Sequence, residues 1–584
     1  METKWSDYYP KGVNAANLKS SFTLYDRLMR VCGIFQNRTA FEYMGSKMSY
    51  ATLAKTINRT AVMWKSLGVS AGDRVLLCMG ECPDMIFSIY ALDSLGATAV
   101  LMIPNSSSEH FEHMANNTGA KYCLMSFNQY ENYARSISDT RLELVVIGKY
   151  SDYITGIHKI AFSLYPLSAY DAQVPAFRKR REPDFKVVTW REAMSASENA
   201  VSSGGFEPDH YDSRPCIMLE SESDVSGSAT CVYNAAAVNT SANLSMFIAK
   251  DGENRLSRPA RVLCLNEICF AFGFSIGMHD VLLAGQTLII FTWYDAERCQ
   301  YPILRYRPDT VIGYNGTVAK LNSAGVSRTV MRPVSMIICG GLLTSSQKAT
   351  LLTRAGRSEN ELRICSVTGS DETMVFAYTP EGTSSDRMIG IPLPGVFMKI
   401  TDSETGGDMP EGKPGELAVC SPVLYLGRIK DGNITSGSLR HLPDGREWLF
   451  TGMVGKMDEK GFFSLISRHE RVYKINSFPV YPVQVDRTIA MVSGVVDAAS
   501  VVLEDVSGPK LVAAVVPSEE LLFDNDLLAD LKKRITDECM MVLHESMCPS
   551  EVEFFISLPT DSAGNKDYDM IRERIGTGRE SAGN

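Results

Sequence analysis

The chain has 584 residues, 45% of them hydrophobic and 22% charged, and this length exceeds what a single hydrophobic core normally serves. We therefore expect more than one domain. The formal net charge of −10 argues against a nucleic-acid partner, because phosphate backbones are bound by Lys and Arg. The 14 cysteines contain no CxxC pair, which excludes the usual zinc motifs and indicates reduced thiols.

Hydropathy gives no sign of export or of a membrane span. The first twelve residues, METKWSDYYPKG, lack the apolar segment of a secretory signal. The longest apolar stretches, such as residues 281–291, are shorter than the ~20 residues that cross a bilayer. We expect a cytoplasmic protein without a transmembrane segment.

Helical and strand patterns alternate from residue 20 to residue 105. Ser49 is placed to cap a helix that starts at Tyr50, and Gly72 opens a turn that leads into an apolar strand. A helix over 83–95 and a strand over 97–103 follow. Further strand patterns lie at 262–265, 288–291, 310–313 and 335–339. This alternation predicts an α/β fold with wound, parallel sheets.

The pattern changes three times along the chain. Residues 172–212 are charged and rich in turn formers, and we interpret them as a solvated loop rather than a nucleic-acid patch. After Gly390, short strands and turns predict a β-rich subdomain. From residue 469 a mixture of strands and helices predicts a small α+β lid. We therefore predict two domains, 1–468 and 469–584.

Eight short segments occur in an order that is far more specific than any one of them. They are LNEICFAFG (265–273), LLAG (282–285), IICGG (337–341), TGSDE (368–372), IGIPLPGV (389–396), PEGKPGELAV (410–419), WLFTGM (448–453) and LPTDSAGNKD (558–567). The segment SRHERVYKINSFPVYP at 467–482 stands between the last two. Together they resemble the motifs of the adenylate-forming ANL superfamily, which includes AMP-dependent acyl-CoA synthetases, peptide-synthetase adenylation domains and luciferases.

The resemblance implies a fold and an activity. Members have a large N-terminal AMP-binding domain of wound α/β sheets with a β-rich subdomain, followed by a small mobile lid. They join a carboxylic acid to ATP with Mg²⁺, and a thiol of CoA or of an acyl carrier protein's pantetheine then takes the acyl group. Fold resemblance alone does not establish this chemistry, so the site residues must decide it.

The phosphate-binding loop departs from the family pattern. The family lysine position falls on Ser228, and three acids, Glu220, Glu222 and Asp224, stand where phosphates would bind. Like charges about 4 Å apart repel by roughly 4 kcal/mol near a protein surface, which would oppose triphosphate binding. A shift of the alignment by a few residues, or a loop without a ligand, would explain the same letters.

The adenylate pocket shows further replacements. Thr368 takes the place of the tyrosine that stacks on adenine, and Asp371 that of the threonine that donates to the AMP phosphate. Glu372 matches the family's Mg²⁺ ligand, although an ordinary surface acid is equally compatible. Thr451 and Met453 match the segment that binds ribose, and the thioether of Met453 is only a weak acceptor.

Other positions are retained or shifted. Arg468 matches an arginine that contacts ribose or phosphate, and a salt-bridging arginine is the alternative. Gly340 and Gly341 mark either a strand end that approaches a ligand or a simple turn. Near the C-terminus the family's catalytic lysine falls on Asn565, so the neighbouring Lys566 is the candidate.

The resemblance also places a hinge and an acyl pocket. Glu470 aligns with the residue about which the lid pivots. Phe270, Gly273 and Tyr314 are the candidate substrate-binding residues. Two functions remain open: an acid–thiol ligase with altered ATP contacts, or a catalytically inactive homologue that binds an acyl ligand or a protein partner.

Overall fold

The computed structural model describes most of the chain. The described residues are 5–9, 19–104, 106–154, 156–163, 185–201, 208, 210, 214–220, 230–249, 259–291, 300–321, 326–383, 387–402, 406–435, 439–468, 473–475, 478–480, 482–505, 508–522, 524–543, 545–560 and 566–582. They divide into two units. Unit 1 is formed by the described residues of Met1–Phe397 and Val419–Leu449, and unit 2 by those of Met398–Ala418 and Phe450–Asn584.

The strands are numbered here in chain order. The first fourteen are β1 (Thr39–Tyr43), β2 (Ser46–Ser49), β3 (Arg74–Cys78), β4 (Thr98–Leu101), β5 (Tyr122–Ser126), β6 (Leu144–Gly148), β7 (Lys186–Thr189), β8 (Pro215–Glu220), β9 (Thr230–Asn234), β10 (Arg261–Cys264), β11 (Thr287–Ile290), β12 (Thr310–Tyr314), β13 (Met336–Gly340) and β14 (Arg363–Ser370). The others are β15 (Met374–Tyr378), β16 (Met388–Pro392), β17 (Phe397–Thr401), β18 (Gly415–Cys420), β19 (Gly427–Lys430), β20 (Asn433–Thr435), β21 (Leu439–His441), β22 (Glu447–Met457), β23 (Phe463–Arg468), β24 (Tyr473–Ile475), β25 (Phe478–Val480), β26 (Val495–Asp505), β27 (Gly508–Pro517) and β28 (Glu551–Phe554).

The helices alternate with the strands through most of unit 1. The α-helices are α1 (Leu24–Ile34), α2 (Tyr50–Ser66), α3 (Pro83–Ser94), α4 (Ser108–Thr118), α5 (Phe127–Ile137), α6 (Ile157–Phe162), α7 (Trp190–Val201), α8 (Ala235–Ala249), α9 (Asp280–Leu283), α10 (Gln300–Tyr306), α11 (Asn315–Lys320), α12 (Arg328–Met331), α13 (Ser345–Ala355), α14 (Pro482–Ala490), α15 (Asn525–Val542) and α16 (Tyr568–Ala582). A π-helix, Gly273–His279, runs directly into α9, and short 3₁₀ turns lie at Ser6–Tyr8 and Glu545–Met547.

Unit 1 contains two mainly parallel sheets. One follows the order β2-β1-β11-β10-β12-β13-β14-β15-β16, with parallel pairing from β1 through to β14. The other follows the order β7-β6-β5-β3-β4-β8-β9-β19-β20, with parallel pairing from β7 through to β8. Every residue of β5 and β6 is buried, as expected for parallel strands covered on both faces.

Local sequence signals set the element boundaries in this unit. The Ser49 hydroxyl accepts a hydrogen bond from the Thr52 N–H at 3.2 Å, and α2 begins at the next residue, as predicted. Helix α3 begins with Pro83 and is buried along its whole length, so it is apolar all round rather than amphipathic. These features position the carboxyl ends of the parallel strands, where ligands bind in α/β folds.

Unit 2 combines most of a four-stranded group, in which β22 and β23 pair antiparallel, with a small α+β group. The order β17-β18-β22-β23 describes the first, and β26-β27-β28 the second. Helices α14 and α15 contribute Ile489 and Leu531 to a core on one face of the β26–β28 sheet. Helix α16 contributes Ile571 to a second core, which includes Val501 and Val512 of the same sheet.

The α/β class and the strand–helix alternation are confirmed. The C-terminal region contains both strands and helices, β24–β28 and α14–α16, in agreement with the predicted α+β character. The boundary at 468/469 stays a prediction, since residues 469–472 lie outside the described part. None of the helices in the described ranges is long and apolar enough to cross a membrane.

Candidate functional site

The carboxylate of Glu220, at the end of β8, is engaged by the protein itself. Glu220 is 6% exposed. One of its carboxylate oxygens accepts from the Ile103 N–H at 3.1 Å, and the other lies 2.6 Å from His110 Nε2. Its own N–H donates to the Cys269 carbonyl at 3.0 Å. Glu220 therefore fixes the end of the strand, and this role accounts for its burial without a phosphate.

The rest of the predicted phosphate loop is not part of the described structure. Ser228, Glu222 and Asp224 lie outside the described residues. The partner of Glu220 was not found from sequence, because His110 lies 110 positions earlier and no motif connects the two residues.

The β14–β15 hairpin carries the residues predicted for the adenylate pocket. Thr368 lies in β14, opposite Ala377 of β15, is 8% exposed, and its hydroxyl has no hydrogen-bond partner among the described residues. Asp371, in the turn, accepts a hydrogen bond from the Tyr233 hydroxyl through its main-chain carbonyl. Thr368, Asp371 and Glu372 thus lie in one hairpin, and their roles at a nucleotide site remain predictions.

Glu372 forms an ion pair with Arg428 of β19. Arg428 Nη2 lies 2.6 Å from Glu372 Oε1, and the two side chains are 25% and 12% exposed. Burial acts to lower the pKa of Arg428, but the hydrogen bond to Glu372 and the attraction of nearby acidic groups together outweigh it, so the pKa of Arg428 is raised. The Glu372 carbonyl also accepts from the Tyr425 N–H at 2.9 Å. Arg428 was not among the predicted site residues.

The surroundings of this ion pair bear on Mg²⁺ binding. To ligate a metal, Glu372 would have to give up its contact with Arg428, and a guanidinium beside a divalent cation is electrostatically unfavourable. The described ranges contain no group of three or more His, Cys, Asp or Glu side chains that could hold a metal ion. The donor set around Glu372 therefore does not fit a Mg²⁺ site in this arrangement.

The ends of β12 and β13 form an aromatic surface. Tyr314 and Gly340 are direct neighbours across these strands. The Phe272 ring lies 5.0 Å from the Tyr314 ring, and a Cβ on Gly340 would lie 2.7 Å from Phe272. A residue with a side chain would clash with this aromatic ring, so glycine is required at position 340. Gly341 follows with φ +97° and donates to the Val367 carbonyl at 2.9 Å, so it turns the chain at the strand end.

Gly273 and Phe270 lie in the segment that leads into the π-helix. Phe270 forms a parallel β-bridge with Glu220. A Cβ on Gly273 would lie 2.1 Å from the main-chain carbonyl of Glu267, so only glycine fits there. This segment and the strand ends bearing Tyr314 and Gly340 all belong to unit 1. Their roles in substrate binding remain predictions.

The predicted ribose segment lies in unit 2. The Thr451 hydroxyl donates to the Leu417 carbonyl at 2.8 Å, and the Gly452 N–H donates to Glu416 Oε1 at 3.1 Å. Met453 pairs with Arg468 across β22 and β23, and the Arg468 side chain is outside the described part of the chain. Glu416, which is 7% exposed, was not predicted from sequence.

The Lys566 side chain forms its contacts with residues of unit 2, the unit to which it belongs. Its Nζ donates to the Ala498 carbonyl at 2.6 Å and lies 2.6 Å from Asp497 Oδ1. Both partners lie in β26, and Lys566 itself forms an isolated β-bridge with Thr560. Residues 561–565 and the hinge candidate Glu470 are outside the described residues. The amine predicted for catalysis therefore stabilises the β26 edge in this structure.

The comparisons with known proteins agree with this architecture. Residues 29–157 and 231–427, more than half of the chain, match the family model described as AMP-binding enzyme. A long-chain-fatty-acid–CoA ligase of Yersinia pestis is 23% identical over 580 residues, covering 97% of this chain and 96% of the relative. A 3-hydroxybenzoate–CoA ligase of Aromatoleum sp. (strain CIB) is 20% identical over 542 residues, covering 91% of this chain and 92% of the relative.

Solved structures share the fold at low sequence identity. An anthranilate CoA ligase in complex with anthranoyl-AMP superposes with a TM-score of 0.72 at 18% identity, covering 96% of this chain and 98% of that structure. A benzoate CoA ligase from Burkholderia xenovorans LB400 gives a TM-score of 0.71 at 17% identity, covering 94% and 100%. The fold is thus the one that adenylate-forming ligases adopt. The chain belongs to the AMP-binding enzyme family, within the ANL superfamily of AMP-dependent acyl-CoA ligases.

Proposed function

We propose that this chain is a non-catalytic member of its family, which binds a carboxylic acid or acyl group without activating it with ATP. The Arg428–Glu372 ion pair carries the proposal, because the N–O distance is 2.6 Å and Glu372 is only 12% exposed. The acid that corresponds to the family's metal ligand already has a cationic partner within its own unit. An intramolecular guanidinium needs no nucleotide and no Mg²⁺ to neutralise that carboxylate.

The donors at the other nucleotide positions support the same conclusion. An ionised Asp371 offers no donor to a phosphate, Thr368 offers no ring to an adenine, and Met453 offers ribose only a weak acceptor. Each missing contact removes roughly 1–4 kcal/mol of binding or transition-state stabilisation. Losses within one site are not additive, but several together leave little affinity for ATP.

Lys566 adds a further argument. An amine with an anionic partner at 2.6 Å and a carbonyl at 2.6 Å must break both contacts before it can reach a substrate. Because both side chains of this ion pair are partly exposed, releasing the amine costs little free energy, so the contact opposes catalysis only weakly.

A second function is favoured by one observation, the alignment of nearly the whole chain with a long-chain-fatty-acid–CoA ligase. In this case Thr451, Ser228, Arg468 and the glycines Gly340 and Gly341 would contact ATP, and Glu372 would bind Mg²⁺ after releasing Arg428. The acyl group would then pass to CoA or to the pantetheine of an acyl carrier protein. The lid, residues 469–584, would pivot about Glu470.

Nucleotide binding separates the two functions. We expect ATP with Mg²⁺ to leave the melting temperature unchanged, which corresponds to a Kd weaker than about 1 mM. The Yersinia pestis ligase is the positive control, measured under the same conditions. A saturable rise in the melting temperature of this chain would contradict the proposal.

Turnover gives an independent test. With a panel of aromatic, short-chain and long-chain acids, ATP and hydroxylamine, we expect no hydroxamate and no pyrophosphate above the level without enzyme. If any acid gives product, and Lys566→Ala abolishes that product, the chain is a ligase and the non-catalytic proposal is wrong.

A further inference from the structure

A small cavity in unit 1 lies between the end of β10, the π-helix and β11. Its lining includes the polar residues Glu81, Asn266 and Glu267 and apolar residues such as Met278 and Leu288. Its volume is about 30 Å³, which accommodates one small polar group and an adjoining carbon. Asn266 and Glu267 lie within the motif LNEICFAFG, but neither is a candidate site residue, and the proposed function uses none of the three polar residues.

The three polar residues that line the cavity all carry side-chain acceptor oxygens. Asn266 is 7% exposed, and its side-chain carbonyl oxygen has no hydrogen-bond partner in the described part of the chain. Glu81 accepts the Ile268 N–H at 3.2 Å through one oxygen. A buried acceptor without a donor is costly, so a ligand that brings donors would stabilise this arrangement.

The two carboxyl groups influence each other. Burial, and then the proximity of Glu267, raise the pKa of Glu81 to about 7, and burial also raises the pKa of Glu267. The nearby titratable groups Cys82, Cys264 and Tyr150 carry no positive charge in any protonation state. A cation in the cavity would therefore offset the free-energy cost of burying the ionised carboxylates and would reduce the repulsion between them.

We propose that this cavity binds the ammonium group of a primary amine. An ammonium group has three N–H donors, which matches the three acceptors Glu81, Glu267 and the Asn266 carbonyl. The carbon attached to the nitrogen would contact apolar residues such as Met278 and Leu288. The proposal is independent of whether the chain is a ligase, because it uses no residue of the nucleotide site.

The test measures amine binding to the full-length protein by ligand-observed NMR line broadening. We expect ethylammonium to bind, and ethanol and acetamide, which lack the charge, not to bind. Tetramethylammonium carries the charge but no N–H donor and should bind at least about tenfold more weakly. The proposal would be overturned if tetramethylammonium bound as tightly as ethylammonium, or if Ca²⁺ bound in preference to it. It would also be overturned if ethylammonium did not bind at about 100 mM.

Conservative variants locate the site. Glu81→Gln and Glu267→Gln should each weaken ethylammonium binding about tenfold or more, because each removes one buried charge. Glu143→Gln, at an exposed position outside the cavity, is the control and should bind like wild type. Unchanged affinity in both cavity variants would place the amine elsewhere and refute the assignment.

A pH series on the wild-type protein requires no variant to fold. Because the Glu81 carboxyl must be ionised to attract the amine, affinity should fall about tenfold from pH 8 to pH 6, while ethylammonium stays protonated throughout. A flat profile over this range would contradict the role of Glu81.

Discussion

The candidate reaction residues of the two units form ion pairs of equal length in different surroundings. Arg428 and Glu372 of unit 1 lie 2.6 Å apart with 25% and 12% of their side chains exposed. Lys566 and Asp497 of unit 2 are also 2.6 Å apart, but 30% and 43% exposed. Water competes for the second pair far more than for the first. Burial, rather than distance, therefore determines how firmly each candidate residue is withheld from a ligand.

The two units also differ in how tightly their candidate site residues are packed. In unit 1, main chain and aromatic rings close over Gly273 and Gly340. In unit 2, Lys566 contacts the edge of β26 through one amine. We infer that the candidate site in unit 1 is rigid, whereas the lysine in unit 2 can be released at small cost. Four substitutions test this difference, beginning with the largest effect.

Gly273→Ala should lower the free energy of unfolding by about 3 kcal/mol, because the new Cβ would lie 2.1 Å from a main-chain carbonyl. Chemical denaturation measures the loss. Gly33→Ala in α1 is the matched control: nothing lies within 4 Å of its Cβ position, so that variant should be neutral or slightly more stable. Equal effects of the two substitutions would show that unit 1 is not tightly packed at Gly273.

Arg428→Met should destabilise the protein by about 2–3 kcal/mol, since it leaves the largely buried Glu372 carboxylate without its partner. Adding Glu372→Gln should restore much of the loss, because the unpaired charge is then removed. A double-mutant cycle from urea unfolding gives the coupling energy. Additive effects of the two substitutions would mean that the ion pair contributes nothing to closing the site.

Asp280→Asn tests a buried carboxyl in unit 1 that has a neutral partner. Burial raises the pKa of Asp280 to about 7, against the hydrogen bond from Ser245. A raised pKa stabilises the fold at low pH, and this contribution is lost as pH rises through about 7. Relative to Asp280→Asn, the wild type should therefore lose about 2 kcal/mol between pH 5 and pH 8. Parallel stability curves for the two proteins would contradict this pKa shift.

Lys566→Met should cost less than about 1 kcal/mol, as expected for a partly exposed ion pair. In about 0.5 M salt, which is well above physiological ionic strength, the same substitution should lower the free energy of unfolding by still less, because salt screens exposed charges. If Lys566→Met matches Arg428→Met in its effect, the contrast between the two units is wrong.

Much of the fold could be predicted because it depends on local sequence patterns. The cap at Ser49, the buried runs of the parallel strands and the mixture of strands and helices after residue 472 all follow from short-range sequence. The family motifs likewise picked out Thr368, Asp371 and Glu372 as candidate site residues. These features depend on residues close in the chain, where periodicity and turn chemistry act directly.

The partners of the candidate site residues could not be predicted. Glu220 meets His110, Glu372 meets Arg428, and Lys566 meets Asp497 only because the fold brings together segments that are distant in sequence. The cavity lined by Glu81, Asn266 and Glu267 arises in the same way, because it is formed by two segments about 185 residues apart in the sequence. Sequence by itself determined the family, the strand order along the chain and the identity of each candidate side chain. Tertiary structure alone decided which charges are neutralised by the protein, because Coulomb interactions and burial depend on spatial neighbours rather than on sequence position.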